Sequence, residues 1–439
     1  MKERASAFFQ WIWLGAAVGL ACGSASAIFL TLLDRATTFR LQHEVIVYTL
    51  PIAGLVIGAF YERWGKSVRG GNNLIIDTIH EDTKQIPLCM TPMVLIGTVL
   101  THLFGGSAGR EGTAVQMGAS MADAIAHRFR VTKETRRQLL AAGIAGGFGS
   151  VFGTPIAGTL FGLEVVCIGR IEYDALLPAL IASLVGDFVT RRLGVIHTTY
   201  PAAPFVDLTP GVLGKLVIMG VAVALVTVAF IELTHRMKRV MEARIVRLPL
   251  RMFMGGCAVV IMWKLIGSSD YLGLGVHGIV GAFSDPNLLW FAFAAKLVFT
   301  SVTLASGFMG GEVTPLFFVG AALGSVLARH LGLPIELGAG VGMASVFAAA
   351  ANTPLALSIM AIELLGASIF PHVVIVSVVA YLLTGHRGIY PSQRILRRKH
   401  GGGTQQRPVA LHELDVVRVL LPAPAEPARE KTSGRPPAS

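Results

Sequence analysis

GIAGGFGSVFGTPIAGTLFGLEVV (143–166) and GMASVFAAAANTPLALSIMAIELL (342–365) align without a gap. Gly143 falls on Gly342, Phe148 on Phe347, Thr154-Pro155 on Thr353-Pro354, and Glu164 on Glu363. A glycine-rich bend and an apolar segment precede each copy: GREGTAVQMG (109–118) in one half and GGEVTPLFFVG (310–320) in the other. A bend and a Thr-Pro segment recurring in the same order mark a duplicated unit. Paired helices broken by Gly and Pro belong to transporter folds with a site near the bilayer midplane, because broken ends are tolerated only where they line a cavity. The expected unit is a transport domain over 1–398, with approximate halves 10–195 and 210–398.

Composition agrees. The 439 residues are 53% hydrophobic and 14% charged, which is membrane-protein composition. Stretches 5–33 and 216–231 carry no charge, and further apolar blocks fill 45–61, 88–104, 174–186, 252–263, 297–311, 314–328, 340–362 and 371–384. Several are shorter than the roughly 20 residues a perpendicular helix needs to cross a bilayer, so half-helices and re-entrant segments are expected. Lys2 and Arg4 precede the first run and Ala25-Ser26-Ala27 imitates a cleavage site, but the run continues to Leu33, so it reads as an uncleaved first helix.

The net charge of +11 is concentrated near the end: residues 387–439 hold ten Lys/Arg against four Asp/Glu. A basic tail beside a membrane domain fits a cytoplasmic location and contact with anionic lipid, and no nucleic-acid motif accompanies it. From Lys399 onward the Pro/Gly-rich sequence (399–439) reads as linker and disorder, with VALHELDVVRVLL (409–421) as one short strand or helix. Cys22, Cys89, Cys167 and Cys257 stand singly in apolar sequence without metal spacing, and no cofactor motif is present.

Three polar bends lie where apolar helices begin: RGGNNLIID (69–77), GSAGREGTAV (106–115) and GFMGGEVTPL (307–316). Each helix start leaves backbone N–H groups unpaired at the positive end of the helix dipole. Three such starts converging would bind an anion without a fully buried cation. An intramembrane acid at one of them, Glu111, can occupy the anion's place when charged and leave it when protonated.

The bends carry a resemblance to a known family. GSAGREGTAVQMG is similar to the G-K/R-E-G-P element of the CLC family of chloride channels and anion/proton antiporters. GGEVTP occupies the place of that family's G-x-F-x-P element. GTPIAGTLFGLEVV and NTPLALSIMAIELL resemble its paired later helices, and GIYPSQRIL (388–396) its C-terminal membrane helix with a central tyrosine. The resemblance implies an all-α polytopic membrane protein, an inverted-topology repeat with broken and re-entrant helices, and a homodimer with one pore per subunit. Glu111 would be the gating and proton-coupling glutamate. Gly71, Asn72, Asn73, Gly109, Arg110, Gly112, Val313, Thr314 and Tyr390 would line the anion site, Arg110 chiefly by steadying the bend.

Departures from the pattern narrow the expectation. Where chloride-transporting members carry G-S-G-I-P, this chain has Gly71-Asn72-Asn73-Leu74-Ile75. Val313 stands at the family's phenylalanine, Thr314 precedes Pro315, and Glu312 is an additional acid. Val165 follows Glu164, so the inner proton carrier of chloride-exchanging members is missing. The set resembles the fluoride/proton antiporter branch. Fluoride holds its water tightly, and Asn72 and Thr314 supply NH₂ and OH donors to replace that shell.

The implied activity is fluoride export driven by inward protons across a bacterial-type inner membrane, giving fluoride resistance. The partners are then fluoride or chloride, protons, lipid and a second copy of the chain. A chloride channel or chloride/proton antiporter is the alternative, since a tenfold preference needs only about 1.4 kcal/mol. Glu312 is either an N-terminal cap of its helix or a coupling acid. Glu164 and Glu363 read as packing or interface groups, Lys296 as a cation held by carbonyls or an acid, and His102 as structural. An intramembrane enzyme is a remote reading: Tyr173-Asp174 and Gly186-Asp187 have the wrong spacing for paired catalytic aspartates, and no zinc motif occurs.

Overall fold

Gly and Pro cut the apolar sequence into helices of very unequal length. The computed structural model describes residues 2–81, 85–286, 288–399 and 404–413. The first half contains α1 (Lys2–Gln42), α2 (Leu50–Trp64), α3 (Gly71–Glu81), α4 (Met90–Leu103), α5 (Glu111–Arg128), α6 (Lys133–Phe152), α7 (Pro155–Glu164) and α8 (Leu176–Arg192). After the non-helical run 193–209 come α9 (Pro210–Arg244), α10 (Leu248–Ile266), α11 (Val276–Gly281), α12 (Ala292–Ala305), α13 (Val313–Leu331), α14 (Ile335–Ala351), α15 (Pro354–Leu365) and α16 (Phe370–Leu383). Six segments of the described residues are long and apolar enough to cross a membrane, while α4, α12, α14 and α15 are shorter apolar helices. The ten residues of α7 span about 15 Å, half a bilayer core.

The duplication is visible in the packing. α5 crosses α6 at Gly118 and Gly143, where a β-carbon on Gly118 would stand 2.2 Å from the Gly143 carbonyl oxygen. α13 crosses α14 at the matching Gly320 and Gly342, with the same 2.2 Å from Gly320 to the Gly342 carbonyl oxygen. Small residues let the backbones touch where lipid offers no hydrophobic drive for association. The repeat-related Phe148 and Phe347 stack with ring centroids 6.4 Å apart.

α7 and α15 lie side by side and cap each other. Glu164, last residue of α7, accepts from the N–H groups of Leu355 (3.2 Å) and Ala356 (2.8 Å) at the start of α15. Glu363 accepts from Ile156 (3.0 Å) and Ala157 (2.8 Å) at the start of α7. Pro155 and Pro354 occupy the first helical position, where the missing N–H costs nothing, so each carboxylate takes the next two donors.

Two expectations change. GIYPSQRIL is not a helix: residues 388–393 form a turn, and Arg394–Arg397 is strand β2, parallel to β1 (Cys167–Ile168) and antiparallel to β3 (Thr404–Ala410). Pro391 disfavours helical geometry at Tyr390, and the segment finds its partner strand in the first half instead. The otherwise helical fold therefore carries a small three-stranded sheet. The linker reading of residues 404–408 is also corrected, since they lie in β3; of the stretch 409–421, where one short strand or helix is expected, the described residues 409–413 form the end of β3 and the 3-10 turn Leu411–Glu413. Residues 414–439 lie outside the described residues.

Candidate functional site

The bends of the two halves meet back to back. Gly109 N–H donates to the Gly311 carbonyl at 2.6 Å, and Gly311 N–H donates to the Gly109 carbonyl at 2.8 Å. A β-carbon on Gly109 would crowd the Gly311 carbonyl oxygen at 3.0 Å, and one on Gly311 would stand 2.8 Å from Gly112 N, so the crossing favours glycine in both bends. This isolated bridge brings the starts of α5 and α13 together. Behind the bend, His102 is fully buried, with Nδ1 2.7 Å from the Thr98 carbonyl and Nε2 2.9 Å from that of Ala108. It fixes the chain just before Gly109, the structural role expected of it.

Glu111, first residue of α5, is fully buried. Its carboxylate lies at the start of α13: Oε2 accepts from Thr314 N–H at 3.1 Å, and Thr314 Oγ1 donates to the carboxylate at 2.6 Å. A further bond comes from Arg110 N–H at 3.1 Å, and Arg110 Nε lies 3.4 Å from Glu111 Oε1. The acid of one half thus sits on the positive helix terminus of the other half. Arg110 pairs with the acid beside it, as expected of a residue that steadies the bend.

The first bend reaches the same place. Gly71 starts α3 with φ +53°, and a β-carbon on Gly112 would approach Asn72 Nδ2 to 3.2 Å. Asn72 Oδ1 is buried without a hydrogen-bond partner. Asn73 is placed differently: its Oδ1 accepts from Ser392 N–H at 3.1 Å, so it ties the bend to the C-terminal turn. Ser392 Oγ also donates to Asp77 Oδ2 at 3.1 Å. That turn carries Tyr390, buried within electrostatic reach of Glu312 and Glu111. The tyrosine therefore lies near both acids although its helix does not exist.

Val313 and Thr314 are buried in the first turn of α13. Glu312 occupies the N-cap position of α13 and makes no side-chain cap hydrogen bond, so any stabilisation there comes from its charge at the helix start. It lies within electrostatic reach of Tyr390 and of Lys238 on α9. Lys296 is fully buried and donates to the carbonyls of Gly273 (2.8 Å) and Tyr271 (3.2 Å). One contributor escaped the sequence reading: Gln116, one turn into α5, would meet a β-carbon on Gly71 at 3.4 Å. Its place in the second turn after the GREG bend was the available signal.

The aspartates considered for an enzyme stay apart. Asp174 and Asp187 lie near opposite ends of α8, roughly 20 Å from each other at the helical rise. Asp187 is paired with Arg191 at 2.8 Å and lies 3.4 Å from His197.

Residues 53–385 match the family described as voltage gated chloride channel. A chloride/fluoride channel protein from Pseudomonas syringae pv. tomato is 48% identical over 397 residues, covering 89% of this chain and 88% of the relative. Among solved structures, a CLC-type fluoride/proton antiporter superposes with a TM-score of 0.86 at 38% identity, covering 88% of this chain and 98% of the other. A slow cyanobacterial Cl⁻/H⁺ antiporter gives a TM-score of 0.77 at 18% identity over 85% of this chain and 94% of the other, a likeness of fold. The resemblance carried by the three bends extends through the membrane unit, and this integral membrane protein belongs to the voltage gated chloride channel, or CLC, family.

Proposed function

We infer that the chain is a fluoride/proton antiporter that expels fluoride from the cytoplasm of a bacterial-type cell, using inward protons across the inner membrane. One observation carries the reading: Glu111 sits charged-end first on Thr314 N–H and Oγ1, the donors a halide would use. An anion and an ionised Glu111 therefore exclude one another. Protonation removes the acid's hold on the helix terminus, frees the position for the anion, and links the two movements in opposite directions. Asn72, Thr314 and Tyr390 supply donors for fluoride, Val313 and the glycines at 71, 109 and 112 shape the backbone around it, and Glu312 is the coupling acid on the Tyr390 side. The solved CLC-type fluoride/proton antiporter, 38% identical, supports this anion over chloride, while the Pseudomonas relative's name carries both.

The assembly is a homodimer with one pore in each subunit, its C-terminal tail cytoplasmic. The apolar side chains of Ile156, Leu184, Phe188 and Leu355, exposed on α7, α8 and α15, support a partner surface on that side.

The test is efflux from proteoliposomes loaded with fluoride or chloride, with external pH recorded. Fluoride efflux accompanied by proton uptake, and faster than chloride efflux, is expected. Chloride efflux as fast as fluoride would replace the reading with a chloride channel or chloride/proton antiporter, and fluoride efflux without proton movement would leave a channel.

A further inference from the structure

A cavity of about 780 Å³ opens beside Arg110, at the C-terminal end of α1. Its walls come from Thr37 and Arg40 of α1, the residues 194–198 after α8, the loop 269–275 that leads into α11, and the first turn of α11. Two polar side-chain atoms in these walls are buried without a hydrogen-bond partner, Thr37 Oγ1 and Arg40 Nε, while Arg110 Nε is already paired with Glu111 at 3.4 Å. Thr37 and Arg40 are three residues apart and share one face of α1. Arg40 is only 4% exposed. A β-carbon on Gly273 would lie 2.8 Å from its Nη2, so the loop needs glycine to pass. Lys296 sits just behind the same loop, bonded to the carbonyls of Tyr271 and Gly273.

Charge is distributed unevenly here. The acids of the wall, Asp34 and Asp270, are exposed at the rim, and Asp270 already accepts from Ser268 Oγ at 2.8 Å. Glu44, the acid within electrostatic reach of Arg40, accepts from Ser269 Oγ at 3.1 Å. The depth is lined by Arg40 and Arg110. A buried cation is ordinarily paired or fully hydrogen-bonded, because desolvation costs more than loose neighbours return. The Arg40 guanidinium can only donate and the Thr37 hydroxyl can turn its O–H the same way, a set suited to an anion, and the acidic rim disfavours multivalent ones.

We propose that this cavity is a holding site for a small monovalent anion of the halide class, kept by Arg40 and Thr37 on one side and Arg110 on the other. The anion there stands one step beyond Glu111 and remains partly hydrated, since the cavity is far larger than one ion. Its place in transport rests on the exchange at Glu111, but its occupancy does not. When Glu111 returns to Thr314, an ion released on this side is retained between two arginines instead of meeting the carboxylate again.

The experiment uses the full chain in two readouts. Crystals of the wild type soaked in sodium bromide should show an anomalous peak within the cavity beside the Arg40 guanidinium, lost in Arg40→Gln. In proteoliposomes, Arg40→Gln should raise the apparent KM for the carried halide on the cavity side at least fivefold. The maximal rate should stay within twofold, and Arg40→Lys should restore KM to within twofold of wild type. Thr37→Val, a smaller change, should raise KM about twofold and serves if Arg40→Gln does not fold. An empty cavity in the wild type, a peak that survives Arg40→Gln, or a variant that lowers the rate at unchanged KM overturns the proposal. If the wild type carries chloride instead of fluoride, the bromide peak and the chloride KM still decide it.

Discussion

Glu164 and Glu363, equivalent residues of the two repeats, each cap the helix that the other ends. The carboxylate of one accepts from Leu355 and Ala356, that of the other from Ile156 and Ala157. An acid at the C-terminal end of a helix is unfavourable by itself. Here it is stabilised by the neighbouring helix's positive end, which explains why the pair recurs in both halves.

Replacing either acid with alanine removes two backbone acceptors at once. Each substitution should destabilise by about 1–2 kcal/mol, the upper range for loss of a cap. Thermal melting in detergent reads this, and the double variant should show nearly the sum, since the caps sit at two separate helix starts. Equal melting temperatures for all four proteins would refute mutual capping.

Glu111→Gln keeps the shape of the side chain and removes its charge. Proton uptake driven by a fluoride gradient should vanish, because an amide cannot alternate between a charged occupant and a neutral one. A pH electrode outside fluoride-loaded proteoliposomes gives the answer, and persistent coupled uptake would show that the proton travels elsewhere.

Thr314→Val deletes the hydroxyl donor but leaves the N–H. A hydrogen bond to a charged group contributes about 1.5–3 kcal/mol. Fluoride needs its donors replaced more than chloride does, so the ratio of fluoride to chloride efflux should fall at least tenfold. An unchanged ratio would assign selectivity to Asn72 or to the backbone alone.

Gly342→Val places a branched side chain where even a β-carbon would stand 2.1 Å from the Gly320 carbonyl oxygen. The α13–α14 crossing must open, at a cost at or above the upper end of the roughly 1–3 kcal/mol usual for overpacking, since the clash is with backbone. Little folded protein should survive size-exclusion chromatography, and Gly143→Val in the other half should behave alike. A monodisperse Gly342→Val protein with wild-type transport would contradict the contact.

Much of this arrangement is written locally in the chain. The glycine bends specify helix starts, and an acid or threonine beside each start can face little except a shared cavity, so Glu111 and Thr314 were legible from their neighbours. Asn73 was not: its acceptor is consumed by Ser392, more than three hundred residues away in sequence. The same is true of Tyr390, whose setting depends on β2 pairing with Cys167–Ile168 in the opposite half. The Tyr390-Pro391 dipeptide did argue against a helix there, but nothing local names the strand that receives it. Arg40 reads in sequence as an ordinary basic residue near a helix end. Only the loop folded over it, glycine against guanidinium, reveals that it is sealed in.

The paired bonds between Gly109 and Gly311 bear on how such a protein can work at all. They fasten the two duplicated halves together immediately next to the acid. Swinging one half past the other, a common solution in duplicated carriers, would tear that rivet in every cycle. Under the function proposed above, motion is then left to the Glu111 carboxylate and the few groups around it, and the outline of the molecule should hardly differ between its inward- and outward-serving states.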